Sequence, residues 1–150
     1  MKLWVLDAGV AAKWVLPSAG ETLVEEAVAL LEAYQREQIR FTVPDLFWAE
    51  LANLLWKSVG RRRCTRETAE TALTTLKSRK LPTVPSLAVI EPAFAIANAF
   101  SRTVYDSIYI ALAAELSAEF VTADERLANA VAAHLPVKWL GSLSPPLFTS

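Results

Sequence analysis

The sequence predicts an α/β protein in which helices cover both faces of a central parallel sheet. Short apolar segments alternate along the chain with longer segments of helical periodicity, and this alternation is typical of strand–helix–strand units. The chain has 150 residues, of which 53% are hydrophobic, so it can bury a substantial core. Neither an internal repeat nor an interior linker interrupts the alternation. We therefore expect one domain over residues 1–150, with residues 142–150 as an irregular tail.

The first predicted strand spans residues 2–6, and a helix over residues 8–16 follows it directly. Pro17 ends this helix, because proline lacks the N–H group that a helix interior needs. The next segment, Ser18-Ala19-Gly20-Glu21, has the spacing of a capping box, in which serine and glutamate satisfy free N–H groups at a helix start. It predicts a long second helix that reaches about Gln38.

The middle of the chain contains a short predicted strand and a helix with marked ends. Residues 41–43 are predicted as the strand, which Pro44 ends. Asp45 is predicted to cap the following helix, since a side-chain oxygen at this position accepts hydrogen bonds from the first turn. The helix is expected to run to Val59 and to stop at Gly60, because glycine readily adopts the left-handed conformation that ends many helices.

The second half of the chain continues the alternation. We predict helices at residues 65–80, 92–101, 105–116 and 125–133, and strands at residues 87–90, 119–122 and 137–139. In parallel sheets of this kind, ligands bind outside the carboxyl ends of the strands. Residues that directly follow a strand are therefore the first candidates for a functional site.

Charge and the rarest residues exclude several classes of function. A net charge of −1 excludes a globally basic nucleic-acid binder. With one cysteine, Cys64, and one histidine, His134, the chain has no internal disulfide, no Cys-rich zinc site and no evident serine–histidine pair. Asp7 interrupts the apolar start too early for a secretory signal, and residues 87–100 are too short to span a bilayer. We expect a cytoplasmic protein without a membrane segment.

Four acidic residues occupy positions where an acid is out of place in the predicted elements. Asp7 and Asp124 follow apolar strands, whereas Glu50 and Asp106 interrupt the apolar faces of helices. Burying an unpaired carboxylate is costly, because a low-dielectric environment disfavours its charged form. Several carboxylates can be kept together if they converge on a hard cation that prefers oxygen ligands. The pattern therefore predicts a divalent-metal site assembled from distant segments.

Each of these acids also has a structural explanation. Asp7 and Asp124 each precede a predicted helix and can serve as its N-cap. Glu50 and Asp106 have weaker alternatives, since each lies on a helix face that should pack into the core. At the level of the residues alone, helix caps and a metal site both stay open.

Four segments resemble the motifs of PIN-domain nucleases, in particular the VapC-like toxins of toxin–antitoxin pairs. The first segment begins with Asp7-Ala8-Gly9-Val10, and the others are residues 44–53, 105–113 and 121–127. Each motif alone is weak. Together they occur in family order and spacing and cover most of the chain, which makes the resemblance specific.

The resemblance implies a three-layer α/β/α PIN-like fold, a Mg²⁺ or Mn²⁺ site and endoribonuclease activity on RNA. It carries Asp7, Glu50, Asp106 and Asp124 over as the acidic cluster, with Thr122 as a nearby hydroxyl. Of the four acids, Asp7 and Asp106 are the expected direct metal ligands. The resemblance also implies a homodimer and a small antitoxin protein whose segment lies across the toxin.

The chain departs from the family pattern at Gly9, where a serine or threonine is common. The missing hydroxyl supports an alternative in which the chain is a catalytically weak PIN-like binding module. A third interpretation, a phosphatase or phosphotransferase with Asp7 as its nucleophile, ranks last. Such enzymes commonly carry a second aspartate two residues further on, and this chain has Gly9 there.

Substrate contacts are expected from local basic residues. Arg61, Arg62 and Arg63 form a basic stretch, and Lys13 and Arg102 are nearer to the acids in sequence. Side chains of this kind either bind RNA phosphates or are simply solvated surface.

Apolar side chains are abundant enough that part of them is expected to bind a partner. Trp14, Trp48 and Trp56 are expected in the core or in a groove for a partner helix. Surplus apolar surface is expected on the first two helices. The residues concerned are Trp14, Val15, Leu16, Leu23, Leu30 and Leu31.

Overall fold

A computed structural model describes residues 1–143 and contains a five-stranded sheet in which all strands are parallel. The strands are β1 (Lys2–Leu6), β2 (Ile39–Pro44), β3 (Thr83–Val84), β4 (Glu119–Thr122) and β5 (Val137–Trp139). Their order across the sheet is β3-β2-β1-β4-β5, so β1 lies at the centre. Helices flank this sheet, which confirms the predicted three-layer α/β/α fold.

Seven α-helices occur within the described residues, and one of them forms the middle of the core. The helices are α1 (Ala8–Val15), α2 (Val24–Gln35), α3 (Leu46–Gly60), α4 (Arg66–Ser78), α5 (Ile90–Phe100), α6 (Val104–Glu115) and α7 (Glu125–Val131). α6 packs across β1, β2 and β4 and against α5. Residues 107–113 are therefore buried on every face of that helix, as its continuous apolar sequence predicts.

The course of the chain creates a crevice at the carboxyl ends of β1 and β4. From β1 the chain moves to β2 and β3 on one side, and it returns to β4 and β5 on the other. The boundary between the two halves is the topological switch point at which open α/β sheets bind ligands. Leu6 pairs with Val121 in the register of the two strands. Asp7 and Thr122 therefore lie side by side at this crevice.

The predicted capping box at residues 18–21 is wrong. α2 begins only at Val24, and the preceding Leu23 has a left-handed backbone and no side-chain cap. The carboxylate of Glu21 instead binds Lys13 and Arg63. Hydrogen bonds between charged groups are stronger than the single backbone bond that a cap would supply. These residues consequently form a loop.

The predicted strand at residues 87–90 is also wrong. Ser86–Val89 form a 3₁₀ helix that continues into α5. The third strand is β3, in the proline-rich segment just before it, where Thr83 and Val84 pair with the end of β2. A short apolar segment alone does not distinguish a strand from a helix.

Both ends of α3 differ from the prediction in their chemistry. Asp45 occupies the N-cap position, but its side chain accepts hydrogen bonds from the backbone N–H (3.0 Å) and the hydroxyl of Ser86. Gly60 is the last residue of the helix, and Arg62 adopts the left-handed conformation instead (φ 59°). Asp45 thus fixes the start of α3 to the segment after β3.

The expectation of surplus apolar surface on the first two helices is wrong for the residues named. Leu30 is fully buried, and Trp14 and Leu23 pack partly buried against the core. None of the six residues is exposed. On the first two helices the one large exposed apolar side chain in the described part of the chain is Val28, on α2. The others are Met1, Trp56, Leu87, Ile90, Phe94, Tyr105 and Leu116.

No helix within residues 1–143 has both the length and the apolar character needed to cross a membrane. In the predicted tail, Ser142 ends a second 3₁₀ helix, Leu140–Ser142. Residues 144–150 of that tail lie outside the described residues.

Candidate active site

Asp7 is fixed at the end of β1 by three hydrogen bonds. Its backbone N–H donates to the carbonyl of Val121 (3.3 Å). Its carboxylate accepts one hydrogen bond from the Thr122 hydroxyl (2.7 Å) and another from the Gly9 backbone N–H (3.4 Å). Asp7 is therefore the N-cap of α1, as one sequence interpretation proposed, and it also faces the crevice between β1 and β4.

Thr122 connects the two strand ends. Its side chain is fully buried, and its oxygen accepts a hydrogen bond from the Asp124 backbone N–H (3.0 Å) while its hydroxyl donates to Asp7. The carboxylate of Asp124 accepts from the Leu127 backbone N–H (3.1 Å), so it caps α7. Asp124 is exposed and lies at the rim of the site.

Glu50 reaches the same region from α3. Its Oε1 accepts a hydrogen bond of 2.6 Å from the hydroxyl of Tyr109 on α6. The Tyr109 ring is buried and stacks on Phe120 of β4, with ring centroids 4.9 Å apart. Because burial raises the pKa of the Tyr109 hydroxyl, it stays protonated and acts as the donor. Glu50 is thus held in one direction by a rigid aromatic side chain.

Asp106 lies in the first turn of α6. Burial raises the pKa of its carboxyl group, and the charge of Asp124 adds to this effect. Hydrogen bonding to Thr103 and the nearby charge of Arg102 act in the opposite direction. Arg102 is therefore the sequence-predicted basic residue whose charge lowers the pKa of Asp106.

Electrostatic interactions link three of the acids. The pKa of Asp7 is raised to about 6, chiefly by burial and in part by the charges of Glu50 and Asp106, whereas the hydrogen bonds from Thr122 and Gly9 act in the opposite direction. Burial likewise raises the pKa of Glu50, with a contribution from Asp106. Within residues 1–143, none of these three carboxylates forms an ion pair. Among the described residues, the nearby charge of Arg102 offsets the negative charge of this crevice only in part.

The sequence profile of the PIN domain matches residues 4–132, which include all four acids. The chain belongs to the PIN-domain family. Its VapC-like character is supported by Ribonuclease VapC3 from Pyrobaculum aerophilum, which is 34% identical over 131 residues. The alignment covers 86% of this chain and 94% of that relative. The resemblance seen in the four sequence motifs is thereby confirmed.

Solved structures share the fold of this PIN domain. A crystal structure from Pyrobaculum aerophilum matches with a TM-score of 0.67 at 18% identity, covering 95% of this chain and 86% of the other. VapC20 from Mycobacterium tuberculosis, a Sarcin-Ricin loop cleaving toxin, matches with 0.60 at 15% identity, covering 88% and 95%. A toxin-antitoxin complex from Klebsiella pneumoniae matches with 0.58 at 17% identity, covering 89% and 94%.

The donor set of this PIN domain fits an oxygen-preferring cation in a water-rich site. Within residues 1–143, no three His, Cys, Asp or Glu side chains are grouped closely enough to hold a metal ion together. Mg²⁺, however, commonly takes one or two carboxylates and keeps several waters. The carboxylates of Asp7, Glu50 and Asp106, which form no ion pair within residues 1–143, match that requirement better than they match a closed cage of protein ligands.

The other basic residues predicted to touch the substrate divide into two groups. Lys13 and Arg63 are bound to Glu21. Arg61 and Arg62 are exposed at the end of α3. Tyr109, whose hydroxyl donates to Glu50, was not singled out from the sequence. The available signal was its spacing, because a residue three positions after Asp106 lies on the same helix face.

Proposed function

We propose that this PIN domain is an endoribonuclease of the cytoplasm that uses Mg²⁺ or Mn²⁺ to hydrolyse RNA. The proposal rests mainly on the carboxylates at the switch point, which raise one another's pKa and have no ion-pair partner among residues 1–143. Carboxylates that are kept together at such a cost favour a functional cation site over a structural role. The relative named Ribonuclease VapC3 supports the same activity.

In this proposal Asp7 and Asp106 would hold the cation directly. Glu50 and Asp124 would bind it through water, take up a second ion or orient the attacking water. When bound, a divalent cation neutralises charge on the phosphoryl oxygens and lowers the pKa of a water molecule. Ionised carboxylates accept hydrogen bonds only, so all four side chains can orient water toward a phosphodiester.

Two hydroxyl groups support this arrangement as positioning groups. Thr122 fixes one oxygen of Asp7, and Tyr109 fixes one oxygen of Glu50. A carboxylate oxygen has lone pairs left after one hydrogen bond, so these contacts direct the acids without blocking them. Both donors belong to buried elements, β4 and α6, which limits how far the acids can move.

Cleavage of RNA by the purified protein tests the proposal. We expect cleavage with Mg²⁺ or Mn²⁺, none with a chelator, and a loss of at least about 100-fold in Asp7→Asn, as for removal of other groups that stabilise a transition state. Glu115→Gln is the matched control, because Glu115 is exposed near the end of α6. Equal cleavage by Asp7→Asn and the control would assign the activity to a contaminant and overturn the proposal.

The alternative function is an RNA- or protein-binding module with little catalysis. One observation favours it, namely that Gly9 leaves the space beside Asp7 without a hydroxyl. The same assay separates the two functions. A binding module retains ligand affinity in Asp7→Asn and shows no metal-dependent cleavage in either protein.

We also propose that the domain is the toxin of a toxin–antitoxin pair and forms a homodimer. An apolar groove of about 370 Å³ between α3 and α4 supports helix docking, and Trp56 on its edge is 70% exposed. An exposed tryptophan beside an apolar groove is a typical anchor point for a partner helix. Phe94 and Leu87 form exposed apolar surface at the start of α5, which supports contact with a second copy.

Co-purification and light scattering test these partners separately. We expect Trp56→Asp to prevent co-purification with a small antitoxin encoded beside this chain and to leave the dimer intact. We expect Phe94→Asp to produce a monomer that still binds the antitoxin. A wild-type monomer at tens of micromolar would exclude the homodimer.

A further inference from the structure

A groove of about 280 Å³ is lined at one part by the basic end of α3 and at another by Gly9 and Ala123, which are sequence neighbours of Asp7 and Asp124. Its walls come from α1, from the loop after α1 and from the last turns of α3. At one end it reaches Gly9, whose N–H group contacts Asp7, and Ala123, which lies between Thr122 and Asp124. The groove therefore opens beside the proposed catalytic carboxylates.

The groove is lined with positive charge and contains a single acid. Its charged residues are Lys13, Lys57, Arg61, Arg63 and Glu21. Four cations and one anion give this small surface a formal charge of about +3 at neutral pH, in a chain whose net charge is −1. A channel of one sign next to low-dielectric walls concentrates counter-ions, and for this sign the counter-ion is an anion.

The position of Glu21 indicates which anion the groove fits. Its Oε1 binds Nη1 of Arg63 at 2.8 Å, and its Oε2 binds Nζ of Lys13 at 3.2 Å. One planar anionic group thus bridges two cations through two separate oxygens. The two non-bridging oxygens of a phosphodiester present the same pair of acceptors to the same donors.

Two further cations are free to bind a neighbouring phosphate. Within residues 1–143, the side chains of Lys57 and Arg61 form no ion pair and no hydrogen bond. Both residues are exposed and line the groove, Lys57 from the last turn of α3 and Arg61 from the C-cap position that follows it. They extend the set of anion-binding groups beyond the pair that Glu21 occupies.

We propose that this groove binds the phosphates of single-stranded RNA and that Glu21 occupies a phosphate position until RNA displaces it. The proposal rests on the proposed function, because continuity with the acidic site is what favours RNA over other anions. A strand bound to Lys57 and Arg61 and then to Lys13 and Arg63 reaches Gly9, beside Asp7. Glu21 is thus a built-in competitor that weakens binding to the backbone of any RNA.

RNA binding without cleavage tests the proposal directly. The probe is a short fluorescent single-stranded RNA, and its anisotropy is measured with the full chain in excess chelator over a range of salt concentrations. Because each phosphate contact contributes about 0.7 to the slope of log affinity against log salt, we expect Lys57→Ala/Arg61→Ala to reduce the slope by about 1.4. The matched control is Arg36→Ala/Lys77→Ala, which removes the same charge from exposed positions outside the groove.

Glu21→Gln tests the competition. This variant removes the competing charge from Arg63 and Lys13, which keep their hydrogen bonds to the carbonyls of Ala19 and Thr22. We therefore expect tighter RNA binding and a slope that is steeper by about 0.7 to 1.4. Equal slopes for the groove double variant and its control would overturn the proposal, as would unchanged or weaker RNA binding by Glu21→Gln. Should Glu21→Gln fold poorly, the groove double variant still decides, because the ion pairs of Glu21 do not involve Lys57 or Arg61.

Two further measurements separate this proposal from its alternatives. A poly-glutamate peptide that binds as tightly as the RNA would make the groove a docking site for acidic protein segments and overturn an RNA site. Metal-dependent cleavage by the wild-type protein reports on the proposed function alone. Cleavage with unchanged salt slopes would therefore reject the groove and leave the nuclease in place.

Discussion

Two regions of this protein hold carboxylates in opposite electrostatic conditions. At the switch point, Asp7 and Glu50 are desolvated beside another acid, so their pKa values are raised. In the loop after α1, the hydrogen bond from Arg63 is the largest effect on Glu21, and its pKa is lowered. The two regions are close in sequence, but one concentrates like charge and the other pairs opposite charges.

This comparison distinguishes carboxylates that stabilise the fold from carboxylates that are available for function. A paired carboxylate contributes to stability at neutral pH, whereas a desolvated and unpaired one reduces it. The loop around Glu21 therefore behaves as a structural contact, although the same contact can be replaced by a stronger anion. The acids near the ends of β1 and β4 lower the stability of the metal-free fold, and binding of a cation would offset that loss.

Removing the charge of Asp7 should give the largest change in stability. Its pKa in the folded chain is about 6 instead of 3.8, a difference of about 2 units, so the charged form costs up to about 3 kcal/mol. We expect metal-free Asp7→Asn to be more stable than the wild type by up to this amount above about pH 6. Urea unfolding in chelator measures it.

The sign and the pH window of this effect follow from the raised pKa. Between about pH 4 and 6 the folded wild type binds more protons than the unfolded chain, so its stability falls as the pH rises. The advantage of Asp7→Asn should therefore disappear near pH 4. An advantage that is the same at acidic and neutral pH would show that it does not come from the carboxylate charge.

Tyr109→Phe should give the next largest effect. It removes the donor to Glu50 and keeps the stacking on Phe120. A hydrogen bond to a charged group contributes about 1.5 to 3 kcal/mol when buried, and the partial exposure of Glu50 places the expected loss near the lower end. Because this bond lowers the pKa of Glu50, its loss should raise that pKa further.

Tyr105→Phe is the control for Tyr109→Phe, since Tyr105 is on the same helix and 63% exposed. We expect the control to retain the stability and the metal-dependent cleavage of the wild type. Tyr109→Phe should lose cleavage chiefly in kcat and shift the acidic limb of its pH profile upward. A purely structural tyrosine would lower stability without moving that limb.

The layered fold could be predicted because its strands and helices differ in period and length. The strands at residues 119–122 and 137–139 are confirmed at both ends, since turn residues border them in the sequence. The third strand was missed because Thr83 and Val84 are a strand only through their pairing with β2. Such pairing is a tertiary property that a local pattern does not contain.

Glu50 and Asp106 could be selected as candidates because each interrupts an apolar helix pattern, whereas Asp7 and Asp124 suit the helix caps that the structure shows. The hydrogen bonds of the acids to distant side chains could not be predicted, since Tyr109 and Glu50 are 59 residues apart and Thr122 and Asp7 are 115 apart. Glu21 was misassigned for the same reason. Its local spacing suited a helix cap, whereas its partner Arg63 lies 42 residues away.

Removing the ion pairs of Glu21 should change the free energy of unfolding less than changing the acidic site does. The ion pairs of Glu21 are partly exposed, so we expect Glu21→Gln to lose about 1 kcal/mol or less at neutral pH and low salt. A lowered pKa means that this contribution is present above the unfolded pKa of the acid and is lost as the pH falls through the folded one. Wild type and variant should therefore unfold alike in acid and at high salt, which urea unfolding at both conditions checks.

Introducing a hydroxyl beside Asp7 should give the smallest change in stability. It also tests directly whether the absence of a side chain at Gly9 affects the site. A Cβ atom at Gly9 would lie 3.7 Å from Oδ2 of Asp7, an ordinary contact distance, so serine and alanine both fit. Either should stabilise α1 by up to about 1 kcal/mol over glycine, and less than this near a helix end. Only the hydroxyl of Gly9→Ser can donate to Asp7 and lower its pKa, so Gly9→Ala is the control for Gly9→Ser.

We expect Gly9→Ser to reduce the pH dependence of metal-free stability between about pH 4 and 6 and to accelerate metal-dependent cleavage. Identical pH profiles for the two variants would mean that the hydroxyl does not reach Asp7, and cleavage that appears only in Gly9→Ser would identify the natural chain as a binding module.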